Sequence, residues 1–275
     1  MGSAVLILQD KSDTEPVDSK KNVDRSSLKR ITAILERSAI DLTLRSPMVV
    51  LLSRWILLVI LLCLSISEGF SDTTSLRCSE VPVAFAYDDP HELKCLCSTS
   101  KAAIAFLKTI GLQTTDCITI RIVKEFQGQQ AHTLFGLYNT TSLEVSIVTY
   151  SKAEVLSQGG QVFGIDLTED LWCSFAAHEL AHAISEKFLN PKIKAHTAGE
   201  YISSIVQLAV LTPSTRENIL ERYKDVKAYQ SREEMSELYY LLDPNRFAVK
   251  CYRHFIALKD PRDFIDRLIH EGNGF

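Results

Sequence analysis

The sequence predicts an α+β domain in which a small, mostly antiparallel sheet precedes a helical second half. Between Val81 and Tyr150, three short runs alternate apolar and polar residues and are rich in β-branched side chains. That is the period of half-buried strands. Beyond Ser157-Gln-Gly-Gly160 the period becomes helical, with stops at Asn190-Pro191 and Thr212-Pro213. The composition is that of an ordinary globular chain: 275 residues, 46% hydrophobic and 23% charged. It excludes collagen, a long coiled coil and a wholly disordered chain.

The elements follow in order. Val81 to Ala86 alternates and forms a first strand. Ser100 to Ile110 has helical spacing in Ala103, Ile104, Phe106, Leu107 and Ile110, and Gly111 is its stop. Cys117 to Val123 is β-branched and alternating, hence a strand. His132 to Tyr138 and Leu143 to Tyr150 are two more, joined by a short polar stretch at Asn139 that implies an antiparallel pair. Asp166-Leu-Thr-Glu169 has the form of a capping box, opening a helix from about Leu167 to Phe188. A second helix spans roughly Ala198 to Leu211. Further helices are expected over Thr215 to Tyr229, Arg232 to Leu242, Asn245 to Leu258 and Pro261 to His270.

The chain divides into three segments. Residues 1–47 are polar and mixed in charge, and are read as disordered; Leu28 to Leu44 could form a short amphipathic helix. Residues 48–70 hold the uncharged run Trp55 to Ile66, with Arg45 and Arg54 before it and Glu68 and Asp72 after it. Its length fits a signal-peptide core, and Ser65, Ser67 and Gly69 could supply a cleavage region. Two readings stay open. Met48 as the true start would make an ordinary signal peptide. Alternatively, residues 48–66 form an uncleaved anchor behind a cytoplasmic tail. Either way residues 71–275 are exported, periplasmic or extracellular, with a membrane contact only through the N-terminal segment. The six cysteines beyond Cys63 suit disulfides in an exported domain, and allow 15 pairings. Cys95-Leu-Cys97 is too tight for a usual zinc knuckle. Asn139-Thr-Thr141 is a glycosylation sequon. With 30 basic against 34 acidic residues, there is no nucleic-acid footprint.

The chemistry is carried by His178-Glu179-Leu180-Ala181-His182. Two His four apart project from one helical face, so both imidazoles can reach one tetrahedral metal ion. Glu179 is then placed to hold the metal-bound water and take its proton. Chance would put such a pattern in roughly one chain in a hundred of this composition. The helix around it is apolar almost all round, through Trp172, Phe175, Ala176, Ala177, Leu180, Ala183, Ile184 and Phe188. Such a helix is buried, and buried polar groups need partners. A Zn²⁺ ion would supply one. Ser185 and Phe188 exclude the metzincin extension, which needs Gly and His there. Glu200, in His196-Thr-Ala-Gly-Glu-Tyr201, is a third-ligand candidate 18 residues after His182. His196 is a second. Thr197-Ala-Gly-Glu200 is also a capping-box pattern, so Glu200 could instead cap its helix.

At these residues the sequence resembles the gluzincin class of zinc metallopeptidases, over about Ser100 to Leu211. The resemblance implies a zincin-like fold, a sheet packed on the motif helix and on a following glutamate helix. It implies His178, His182 and Glu200 as ligands of one catalytic zinc, Glu179 as general base, and a peptide or protein substrate. It also implies strand addition of that substrate to an antiparallel edge strand at the motif helix, expected at Leu143 to Tyr150. Many gluzincins carry an Asp one turn after the glutamate; here Ser203 and Ser204 stand there. Tyr201, Tyr239, Tyr240 and His254 are candidate oxyanion stabilisers, but none has a spacing argument and each reads first as a structural residue; His91, His132 and His270 read as surface or core residues. The competing functions are a catalytically inactive zinc-binding scaffold or interaction protein, and a disulfide-stapled domain without metal.

Overall fold

The computed structural model describes residues 74–126, 135–157, 162–190 and 196–271. The segments 1–47 and 48–70, with the 28–44 helix and the apolar run, lie outside the described residues. So do His132, the glycine break at 158–160 and the start of the loop at 191–195. Among the described residues no helix is long and apolar enough to cross a membrane.

The described part is a mixed α+β fold. Five strands form one sheet: β1 (Thr74–Arg77), β2 (Val83–Tyr87), β3 (Ile118–Val123), β4 (Gly136–Asn139) and β5 (Glu144–Val148). Their order is β1-β2-β3-β5-β4. The outer pairs β1/β2 and β4/β5 are antiparallel, but β2/β3 and β3/β5 are parallel. The expectation of a mostly antiparallel sheet is therefore corrected. The helix after β2 is long enough to carry the chain back across the sheet, which is what a parallel neighbour requires. The expected edge also changes: β5 is interior, and β4 is the edge strand.

The crossover helix α1 (Leu93–Thr109) begins earlier than its periodicity suggests, behind a 3-10 turn over Pro90–Glu92 capped by the Asp89 side chain. Leu93, Leu96, Ser100, Ala103 and Leu107 form its buried stripe. It ends where Gly111 takes φ +91° and Leu112 N–H closes onto Leu107 C=O at 2.9 Å. A short helix α2 (Tyr150–Ser157) follows β5 and was not apparent from the pattern.

The motif helix α3 (Glu169–Ser185) is buried at every residue from Leu171 to Ser185. Its cap is Thr168, whose hydroxyl accepts from Leu171 N–H at 3.2 Å, and not Asp166. Thr168 has the extended backbone a cap needs. Trp172 Nε1–H donates to Val148 C=O at 2.9 Å, and Phe135 stacks on Phe175 at 4.7 Å, fixing α3 to β5 and to the start of β4. On its other side lies α4 (His196–Val210). The remainder is α5 (Pro213–Arg222), α6 (Glu237–Leu242), α7 (Pro244–Ala257) and α8 (Pro261–Glu271). Proline stands at the first position of α5 and α7, where its missing N–H costs nothing.

Two cysteine pairs stand at disulfide distance, Cys78–Cys97 and Cys95–Cys173, with Cα–Cα 5.6 and 6.2 Å. They are compatible with an exported protein. Cys117 is exposed and Cys251 buried, both as free thiols.

The two cross-links close loops of 78 and 19 residues. On the chain-entropy relation, removing Cys95–Cys173 costs about 4.5 kcal/mol and removing Cys78–Cys97 about 3 kcal/mol. Denaturant unfolding of the two Cys→Ala double variants checks the order. Equal or reversed losses would show that strain or unfolded-state structure outweighs loop length.

Candidate metal site

His178 and His182 sit one turn apart on α3 with their Nε2 atoms 3.1 Å apart. Glu200 enters from the first turns of α4. Its Oε2 lies 3.6 Å from His178 Nε2 and its Oε1 3.4 Å from His182 Nε2. The three donor atoms fall within 4.8 Å of one another. Tetrahedral zinc bound at about 2.0–2.1 Å sets its ligand atoms about 3.3 Å apart. The Nε2–Nε2 separation is close to that edge length, and each imidazole nitrogen lies near it from a different oxygen of the one Glu200 carboxylate.

The donors fit such an ion chemically as well. Glu200 Oε2 is buried without a hydrogen bond, and so is Glu179 Oε2. Two neutral imidazoles facing each other through Nε2 would oppose lone pairs unless a proton or a cation lies between them. Two nitrogens and one carboxylate oxygen are a zinc-type donor set with one position open.

Electrostatics divide the two carboxylates. Burial pushes both up. At Glu200 the close approach of His182 and His178 wins, and its carboxyl is held well below the usual range. At Glu179 burial wins over the pull of His178 and His182, and its carboxyl stays raised. Burial lowers His182, but Glu200, Glu179 and Glu186 more than reverse this and raise it.

Glu179 lies against the sheet edge. A Cβ on Gly136 would come 2.8 Å from Glu179 Cγ and 3.1 Å from its Oε1, so only glycine leaves room for this carboxylate. The Tyr138 backbone donates a hydrogen bond to Glu179. Val148 N–H bonds to Phe135 C=O at 3.0 Å, and Gly136 is paired with Ile147. By antiparallel alternation the N–H and C=O groups of Gly136 and Tyr138 then face away from β5, along the outer edge.

The sequence-predicted residues separate as follows. His178, Glu179, His182 and Glu200 come together. Glu200 turns its carboxylate to the imidazoles, and Thr197 lies inside the first turn of α4 and not at its cap. His196 touches the cluster through Glu200, at 3.6 Å, and is the most exposed of the five at 27%. Tyr240 lies beside His196, with rings 6.0 Å apart, and lines a small cavity with His178. Tyr201 and His254 hydrogen-bond to each other at 2.8 Å and pack on Phe264. Tyr239 packs on Phe247. His91 and His270 are exposed.

One residue was not anticipated. Gln207, two turns after Glu200 on α4, accepts at Oε1 from His178 Nδ1 at 3.0 Å, and its Nε2 donates to Ser174 Oγ at 3.4 Å. The available signal was a lone polar residue in the apolar run Ile205 to Val210 at a seven-residue interval from Glu200. Ser203 and Ser204 are buried, and Ser204 lines the cavity beside His178.

The fold and site thus define an α+β domain with a buried His-His-Glu cluster at its centre. Residues 83–273 match DUF6639, a family of unknown function, and the chain belongs to that family. No curated protein and no solved structure matches it.

Two glycines give contrasting predictions. Gly136→Ala forces the Glu179 carboxylate aside and is expected to destabilise by about 1–3 kcal/mol, as overpacking does. Gly199→Ala meets His182 Nδ1 only at 3.4 Å, and is expected to lie within about 1 kcal/mol of neutral, helped by alanine's helix propensity. Thermal melting of both variants checks this. Equal effects would mean that β4 yields to Glu179 more easily than its packing implies.

Proposed function

We propose that this is an exported, zinc-dependent metallopeptidase of gluzincin type, with His178, His182 and Glu200 holding the ion and Glu179 acting as general base. The observation that carries the reading is a buried cluster of two imidazole nitrogens 3.1 Å apart and one carboxylate whose two oxygens lie 3.6 and 3.4 Å from them, beside a fourth buried group, Glu179, whose Oε2 has no hydrogen bond. When bound, the ion supplies Lewis acidity at the scissile carbonyl and acidifies the attacking water.

The chain's own residues do the rest. Glu179 Oε2 takes a proton from the attacking water and returns it to the leaving nitrogen. This Oε2 is buried with no other hydrogen bond and can serve both halves of that exchange. The Tyr138 backbone fixes the other side of the carboxylate, so the transfer happens at one atom. An extended substrate adds to the outer edge of β4 through the outward N–H and C=O of Gly136 and the C=O of Tyr138, the Tyr138 N–H being held by Glu179. Peptide bonds are therefore the substrate class. The paired cysteines support an exported location, in the periplasm or outside the cell.

A second reading, a zinc-binding scaffold without turnover, is favoured by the burial of the whole cluster: His178, Glu179, His182 and Glu200 are each under a tenth exposed. One experiment separates them. Purified protein is expected to hold one zinc per chain, lost on His178→Ala and on Glu200→Ala. Glu179→Gln is expected to keep the zinc and to lower peptide hydrolysis by about 10²–10⁴-fold. Zinc without hydrolysis in the wild type would favour the scaffold. Hydrolysis unchanged in Glu179→Gln would remove Glu179 from the mechanism.

A further inference from the structure

The contacts behind His178 have a direction that their atoms dictate. Ser174 Oγ lies 2.6 Å from Leu171 C=O, an acceptor that can only receive a proton. The serine hydroxyl is therefore spent as a donor, and its oxygen accepts. Gln207 must then present its NH₂ to Ser174 and its carbonyl to His178. An amide carbonyl cannot donate, so His178 Nδ1 must carry the proton. In the neutral ring Nε2 is left with its lone pair, aimed at His182 and Glu200. Ser174 and Gln207 are both buried, so water does not compete for these positions.

We propose that Gln207 is the positioning residue of this site: with Ser174 it forms a one-way hydrogen-bond relay from the α3 backbone that fixes His178 in its Nδ1–H tautomer and presents Nε2 as a ligand before any metal arrives. The inference rests on the zinc reading only for its consequence, not for the relay itself. A tautomer set in advance removes one reorganisation from metal binding. Partners of the far nitrogen of a ligand His orient the ring and tune its donor strength, and losing one typically costs about 10–100-fold in metal affinity. Here the partner is a neutral amide. It orients the ring without adding a charge, so the one formal charge among the proposed ligands is that of Glu200.

The test uses the whole protein with ¹⁵N-labelled histidine. In the metal-free wild type, the His178 ring is expected to show a protonated Nδ1 and a bare Nε2 by NMR. Gln207→Leu is expected to lose that preference and to bind zinc about 10–100-fold more weakly in chelator competition. Gln207→Glu, which restores an acceptor at the same reach, is expected to recover the tautomer and bind zinc at least as tightly as the wild type. Ser174→Ala removes only the hydroxyl, and keeps the test open if Gln207→Leu misfolds. It is expected to mix the tautomers, because the amide is freed to turn. A wild type with its proton on Nε2, or a folded Gln207→Leu with unchanged tautomer and zinc affinity, would overturn the relay. A wild type with the expected tautomer but no zinc binding would support the relay and overturn the metal reading.

Discussion

Four ionisable side chains, His178, Glu179, His182 and Glu200, are buried between two helices of one domain, and the rest of the structure is arranged around that constraint. Charged groups taken out of water are costly unless each finds a partner of suitable geometry. The imidazoles answer to Glu200 across the α3/α4 contact, and Glu179 answers to the backbone of β4. Neither arrangement survives much movement. Hence α3 is held on all sides: Trp172 is tied to β5, Phe175 is stacked under Phe135, and Asp170 accepts from the Thr212 backbone and hydroxyl at 3.0 and 2.8 Å. A glycine stands at the closest approach, where Gly136 gives Glu179 its space.

The two glutamates show how one side-chain type takes two states a few ångströms apart. Both are fully withdrawn from water, so the desolvation that raises a carboxyl acts on both. Glu200 faces two ring nitrogens and is driven to the carboxylate. Glu179 neighbours the same rings in sequence and space, but faces a glycine and a peptide N–H and stays raised. The two environments pull the same group in opposite directions within one buried cluster.

Most of the helical half was legible in the sequence, and the sheet less so. Helix-period spacing is local, so His178 and His182 could be put on one face from their interval alone. The ends of α4 and α7 and the C-terminal end of α1 fell close to where they were expected, but α5 stops at Arg222 and not near Tyr229, and α6 covers only Glu237–Leu242 of the helix expected from Arg232. Sheet order is a non-local property. Nothing within Leu143 to Tyr150 says that β3 will pair with it in parallel and leave β4 outside, so the edge strand was assigned wrongly. The start of α1 was hidden because its buried stripe passes through the polar Ser100, which separates Leu93 and Leu96 from Ala103 and Leu107. Gln207 was missed for a related reason. Its role exists only once α4 is laid against Ser174 and His178, residues 33 and 29 positions away.

The Cys95-Leu-Cys97 pattern, too tight for a metal knuckle, has a mechanical use that the fold explains. Residues two apart on a helix point about 200° from each other. Cys95 therefore reaches across to Cys173 on α3, while Cys97 reaches the opposite way, to Cys78 just after β1. The helix α1 becomes a bar cross-linked to the sheet side at one thiol and to the motif helix at the other. Cys173 is five residues before His178 and adjoins Ser174, so the second link falls about one and a half helical turns from the first imidazole and next in sequence to the hydroxyl that sets its tautomer. A domain this size can build an adequate apolar core without cross-links. The placement of this one suggests a different use: it holds the backbone of α3 steady at the point where a directed chain of hydrogen bonds begins.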